Sequence, residues 1–168
     1  MAKRSMQEKI IVGVDGSDAS IEAIRQGVRL AAATGREVEA WTCWEYPAGH
    51  EAYVAMGIDG FAHEAAATLQ QAVAAAFDGE PPANFHTRLV HGAPRQALIQ
   101  ASRKAALLVV GRRGRGGFHG LALGSVSSSC LAHAHCPVLV VHGEDLARNT
   151  NPAPGWPRRI PNRDTEGV

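Results

Sequence analysis

The sequence predicts an α/β protein with a single open, five-stranded parallel sheet and helices on both of its faces. Three observations carry that expectation. Short apolar runs rich in β-branched residues alternate along the chain with longer stretches of helical periodicity. The last two of the short runs are apolar almost throughout, as strands covered on both faces are. The alternation persists through five strands, and parallel strands joined by right-handed helical crossovers leave helices on each side of a sheet.

The first strand covers residues 10–14, Ile-Ile-Val-Gly-Val. The helix after it sets Ile21, Ile24, Val28 and Ala31 on one face, starts at a Ser17 or Asp18 cap and stops at Gly35. A second strand spans residues 38–44, and an alanine-rich helix over 62–77 then turns Ala65, Leu69, Ala72, Val73 and Ala76 to one side before stopping near Gly79. The third strand is short, residues 88–90. The third helix opens on Pro94, whose fixed φ suits a first turn, and carries Leu98 and Ile99 inward. Residues 107–110 form the fourth strand, and the fourth helix starts near Ser125, burying Val126, Cys130 and Leu131. Residues 138–141 complete the sheet.

Residues 1–142 thus read as one domain, in keeping with a chain of 168 residues. Residues 143–168 hold four of the nine prolines and no apolar periodicity, so a flexible tail is expected there, with Trp156 its only sizeable anchor. Hydrophobic residues make up 45% of the chain, enough for a core, and aromatics only 5%, so small and branched aliphatics must fill it. A net charge of +1 argues against a nucleic-acid or membrane-surface partner read from charge. No apolar run nears the roughly 18 residues that span a bilayer. The basic start Met1-Ala-Lys-Arg-Ser5 leads into a strand rather than a signal segment. Cys43, Cys130 and Cys136 are odd in number and lie within expected elements, which points to reduced thiols in a cytoplasmic protein.

The chemistry-bearing stretch is residues 111–127. The buried fourth strand runs into Gly111-Arg-Arg-Gly-Arg-Gly-Gly-Phe-His-Gly120, and then Leu-Ala-Leu-Gly124-Ser-Val-Ser127. So many glycines imply either positive φ or close approach by another group. Phosphate oxygens are the usual visitor, because free N–H groups and the dipole at a helix start favour an anion. Ser125 and Ser127 stand at that helix start, and Arg112, Arg113 and Arg115 add positive charge. A Walker motif is missing, since the lysines are only Lys3, Lys9 and Lys104, and the strict dinucleotide fingerprint is missing too. If the first and fourth strands are neighbours, Asp15 and Ser17 face residues 111–127 across the crevice where strand order reverses.

The spacing Gly111-x2-Gly114-x9-Gly124-Ser125 matches the ATP-binding motif of the universal stress protein family, and other segments resemble that family as well. Ile10-Ile-Val-Gly-Val-Asp-Gly-Ser17 is similar to its first strand and loop, His91-Gly-Ala-Pro94 to its third strand-to-helix turn, and Cys136-Pro-Val-Leu-Val-Val141 to its last strand. The resemblance implies a Rossmann-like, nucleotide-binding α/β sandwich that binds ATP, ADP or AMP, often with Mg²⁺ or Mn²⁺ bridging the phosphates. It implies that Asp15 and the main chain of Val14 serve the adenosine end and that the main chain at Cys43 meets the adenine edge. Gly111, Gly114, Gly124, Ser125, Val126 and Ser127 would hold ribose and phosphates. It also implies a homodimer paired through the last strand, residues 138–141, and a role in stress response. The chain departs from many members at Ala105-Ala106, where an acidic residue often stands.

Competing readings rest on weaker patterns. His133, His135 and Cys136 are metal-ligand types, but a helix end followed by Pro137 would scatter them. The Arg-Gly run at 112–117 lacks the interleaved aromatics of a nucleic-acid binder. Hydrolysis needs a base and a positioned water, and Asp15 and His119 are the only candidates near the phosphates, so binding is favoured over turnover. Three readings stay open: a nucleotide-dependent regulator, a slow ATPase or phosphotransferase, and a nucleotide-independent dimeric interaction module.

Overall fold

The computed structural model describes residues 9–46, 59–114 and 123–143. The basic N-terminus, Arg115, His119, Trp156 and the Pro-rich tail beyond Gly143 lie outside the described residues.

Five parallel strands, β1 (Lys9–Gly13), β2 (Glu37–Trp44), β3 (Phe85–His91), β4 (Leu107–Gly111) and β5 (Val138–Val141), form one sheet in the order β3-β2-β1-β4-β5. The described helices are α1 (Asp18–Thr34), α2 (Gly60–Ala76), α3 (Pro94–Ser102) and α4 (Ser125–His133). Side chains alternate across each strand, and that alternation splits the core into two. Ile10, Val12, Val38, Ala40 and Val109 pack with Ala23, Ile24, Leu69 and Ala72 under α1 and α2. Ile11, Leu108 and Val110 pack with Leu98 and Cys130 under α3 and α4. The fold is therefore the expected one, a single parallel sheet with a helical layer on each face.

Local signals explain the helix ends. The Ser17 hydroxyl accepts the Ser20 N–H at 3.2 Å, and Asp18 adds an acid to the first turn. Gly35 ends α1 in the left-handed region at φ 66°, a conformation that costs glycine nothing. The buried stripe of α1 differs from the expected one. Ser20, Ala23, Ile24, Gly27 and Ala31 face the sheet, while Ile21 and Val28 pack at its margin, half-buried. Small residues take the contact because the helix lies close: a Cβ on Gly27 would come within 2.8 Å of Val12 Cγ2. α1 also holds the end of α2, where the Arg25 guanidinium donates to the carbonyls of Ala75 (2.8 Å) and Ala76 (3.3 Å).

Four further expectations need correction. β3 begins three residues earlier than its apolar run, because its pairing with β2 rests on the backbone ladder while His86, Thr87 and Arg88 stay exposed. Leu131 is 49% exposed, since α4 flanks the edge of the sheet and buries Ser127 and Cys130 instead. Ile99 and Val126 are only half-buried. β5 is an edge strand, so Val138, Leu139 and Val140 are half-covered rather than enclosed on both faces.

Candidate functional site

Strand order runs outward from the β1–β4 pair in both directions, so the chain leaves β1 towards α1 on one face and leaves β4 towards α4 on the other. Diverging connections open a crevice beyond the carboxyl ends of those strands. The cleft there has a volume of about 710 Å³, within the roughly 300–1,000 Å³ typical of small-molecule sites. Val14, Asp15, Cys43, Gly111, Gly114, Gly124, Ser125, Val126 and Ser127 all line it.

The turn after β1 forms one wall. Val14 N–H donates to the Trp41 carbonyl at 2.8 Å, and its own carbonyl accepts the buried Thr42 hydroxyl at 3.1 Å. Protein groups therefore already engage both main-chain groups of Val14, leaving one lone pair of its carbonyl for any further partner. Gly16 turns the chain with φ 82°. Asp15 folds back over that turn, and its Oδ1 accepts the Ser17 N–H (3.0 Å) and hydroxyl (2.6 Å).

The loop after β4 forms the opposite wall. Arg112 N–H donates to the Val141 carbonyl at 2.6 Å, and Gly124 N–H returns to the Arg112 carbonyl at 2.8 Å, which clips the two ends of the loop together. Two of the described loop glycines, Gly111 and Gly114, serve close approach rather than unusual torsions. Among the described residues positive φ falls at Gly16, Gly35 and Gly92, and not at Gly111, Gly114 or Gly124. A Cβ on Gly111 would meet Ala19 Cβ at 2.8 Å and the Ala19 backbone carbon at 3.0 Å, so this glycine admits the start of α1. A Cβ on Gly114 would overlap Asp15 Oδ2 at 2.1 Å, so this one admits the carboxylate from the facing wall. Gly124 has ordinary room around it, with its nearest neighbour at 3.5 Å.

Gly124 is the N-cap of α4 in an extended conformation, and it supplies no side-chain oxygen to the helix start. The first bond back along the helix is Ser128 N–H to the Gly124 carbonyl, so the amides of Ser125, Val126 and Ser127 come before the ladder and face the cleft. Ser127 does not offer its hydroxyl hydrogen to the cleft as expected. That group is buried and donates to the Gly111 carbonyl at 2.5 Å, tying α4 to the end of β4.

At the far end, β2 outruns β1. Trp41 directs its N–H and C=O to β1, and Trp44 directs its carbonyl to Gly92 beyond β3. Strand alternation then aims the Cys43 N–H and C=O the same way as those of Trp41, over the end of β1 and into the cleft. The Cys43 thiol itself is pushed up to about 11, first by burial and then by the neighbouring Cys130 thiolate, so it stays protonated. Arg113 lines the loop end, and Glu45 and Glu64 also line the cleft.

Sequence reasoning missed a third wall. Phe61, Glu64, Ala65 and Thr68 of α2 recur at helical spacing and line the cleft, a stripe that was legible as periodicity but carried no phosphate signature. Trp41 and Trp44 also line it, and Trp44 packs on His91 (4.6 Å between centroids) and Tyr46 (5.3 Å). Among the described residues no three His, Cys, Asp or Glu side chains gather to hold a metal ion. No described helix is long and apolar enough to cross a membrane.

The family model described as the universal stress protein family matches residues 6–142. A universal stress protein of Mycobacterium tuberculosis is 36% identical over 146 residues, covering 81% of this chain and 48% of that protein. The chain thus spans about half the length of that curated relative. A crystal structure of a universal stress protein in complex with cAMP is 32% identical with a TM-score of 0.53, covering 81% of this chain and 97% of that one. Universal stress protein UspA from Lactobacillus plantarum, 24% identical with a TM-score of 0.66, shares the fold over 80% of this chain and 97% of its own.

Proposed function

The chain belongs to the universal stress protein family, and from that premise we propose that the cleft between Asp15 and the α4 N-terminus binds adenine nucleotide, ATP in the first place, as a regulator in stress response. The observation that carries this reading is the pairing of two unlike ends in one cleft. One end has three helix-start amides behind a glycine cap, with Arg113 beside them, a setting made for phosphate oxygens. The other has the Cys43 N–H and C=O side by side, which match the ring nitrogen and exocyclic amine on the hydrogen-bonding edge of adenine. The relative that is solved with cAMP supports the choice of an adenine nucleotide.

In this reading the Ser125, Val126 and Ser127 amides and Arg113 hold the phosphates, and Ser127 fixes the helix to Gly111. Gly114 and Gly124 keep the approach bare, and Asp15 serves the ribose. The donor set fits Mg²⁺ or Mn²⁺ carried in on the phosphates, because amides and arginine leave phosphate oxygens free for a cation, which would neutralise their charge. Occupancy joins the two walls, so nucleotide binding stiffens the β1–β4 junction, and we assign the output to that change rather than to turnover. The edge strand β5 is proposed to pair with a second copy.

Calorimetric titration with ATP and Mg²⁺ tests the reading, with Gly114→Glu alongside. Saturable binding that the variant loses while keeping its far-UV spectrum is expected. Absence of binding to the native protein at millimolar ATP overturns it.

A further inference from the structure

The two ends of the cleft differ in charge. Among the described residues Arg113 is the cation on its lining, at the loop end, while Glu45 and Glu64 stand near the end of β2. Phosphate and ribose contacts leave both of those carboxylates unused. The position of Glu64 is set by α2. The Phe61 ring meets Tyr46 edge-on at 6.2 Å, and Tyr46 meets Trp44 at 5.3 Å, which fixes the first turn of α2 beside the residues that follow Cys43. At the other end Phe77, just past α2, packs on Phe85 at the start of β3 (5.2 Å), so the helix runs back along the strands. Glu64, about 4.5 Å down the helix from Phe61, is then level with Trp44 and Glu45, roughly 3–7 Å down the strand from Tyr46. Successive helical residues lie about 100° apart, so when the buried Ala65, Leu69 and Ala72 turn to the sheet, Glu64 stands on the flank that Phe61 and Thr68 present to the cleft. Its side chain is exposed, and its carboxylate has no hydrogen bond or ion pair among the described residues.

Resting on the nucleotide reading above, we propose that Glu64 is a base-specificity residue whose carboxylate accepts the second N–H of the adenine exocyclic amine, so that the cleft selects a 6-aminopurine. Chain direction gives the assignment. Within Cys43 the N–H precedes the C=O, so a base paired to both holds its amine on the Trp44 side of N1. One amine N–H meets the Cys43 carbonyl. The amine is planar, so its other N–H points away from that carbonyl, onward past the end of β2, to the level where Glu64 stands. A carboxylate only accepts, so it suits that N–H and repels the oxygen that a 6-oxopurine carries in place of the amine. Glu64 is assigned rather than Glu45 because strand alternation carries Glu45 to the face of Trp41, under α3, while α2 closes the cleft from the opposite face.

The test is calorimetry of the full chain with Mg²⁺ and either ATP or purine riboside triphosphate, which keeps N1 and the phosphates but lacks the amine. The ratio of the two affinities cancels any effect of the Glu64 charge on the phosphates, because both ligands carry the same triphosphate. The native chain should prefer ATP, and Glu64→Ala should shrink that preference roughly 2–10-fold, the worth of one net hydrogen bond. Glu64 is exposed and its carboxylate holds no described partner, so the variant loses nothing that secures the fold, and its far-UV spectrum checks this. A preference that is unchanged in Glu64→Ala, or that shrinks in Glu45→Ala instead, overturns the contact and leaves the nucleotide reading standing. Failure of both triphosphates to bind the native chain overturns the nucleotide reading and the contact together.

Discussion

Gly111→Ala isolates what the first glycine of the loop does. The added Cβ would lie 2.8 Å from Ala19 Cβ, 3.0 Å from the Ala19 carbonyl carbon and 3.1 Å from Ser20 N. Two of those neighbours are backbone at the capped start of α1, where Ser17 already fixes the chain, so they cannot rotate away. Overpacking of that kind costs about 1–3 kcal/mol. Replacing glycine also restricts the unfolded chain, which returns about 0.4–1 kcal/mol. The net loss is then roughly 0.5–2.5 kcal/mol, or about 2–12 °C in Tm for a domain of this size. Gly124→Ala is the matched control, because its nearest neighbour stands at 3.5 Å and its backbone is already extended. The same gain from the unfolded chain applies there but is offset by the poorer N-cap that alanine makes, so its Tm should change by less than about 2 °C. Differential scanning calorimetry of both variants without nucleotide reads the difference. If Gly111→Ala melts at or above Gly124→Ala, close packing against α1 is not the reason for glycine at 111.

Other perturbations separate structural from binding roles. Ser127→Ala removes the hydroxyl that supports the Gly111 carbonyl and should lower unfolding free energy by about 1–2 kcal/mol in urea, whereas Ser125→Ala, on an exposed position, should leave stability within about 0.5 kcal/mol. Equal effects would contradict the division of labour. Arg25→Ala frees two carbonyls at the end of α2 and should cost about 1–2 kcal/mol, and no loss would mean that solvent satisfies them equally well. Burial first, and neighbouring thiolate charge second, raise the Cys43 and Cys130 thiols from 9.0 to about 11. The unfolded thiols ionise first, so their contribution to stability is whole below about pH 9 and is lost as pH rises towards 11. Urea unfolding across that window should show a decline that shrinks in Cys130→Ala, and an unchanged slope would remove the cysteines from the account.

Much of this was legible in the chain. The Ser17 cap, the Gly35 stop, Pro94 and the five apolar runs lie in local sequence, where short-range sterics and hydrogen bonding decide the outcome. The cleft was legible for the same reason, since Gly111, Gly114 and Gly124 sit on one loop and a parallel sheet puts that loop beside Asp15. What local pattern cannot carry is distance between segments. The role of Gly111 depends on how closely Ala19 approaches, and the small-residue stripe of α1 depends on Val12 lying under Gly27. β3 escaped full detection because an edge strand held by its ladder can present His86, Thr87 and Arg88 to water. Nothing in the local sequence sets Trp41 apart within β2, and only the packing around it shows a donor without an acceptor.

A crystal structure of the full chain grown with ATP and Mg²⁺ decides where and in which direction the nucleotide lies. Phosphate oxygens are expected about 2.7–3.2 Å from the amide nitrogens of Ser125, Val126 and Ser127, with the adenine edge on the Cys43 main chain. A nucleotide bound away from the α4 N-terminus, or turned with its base against that helix start, would contradict it.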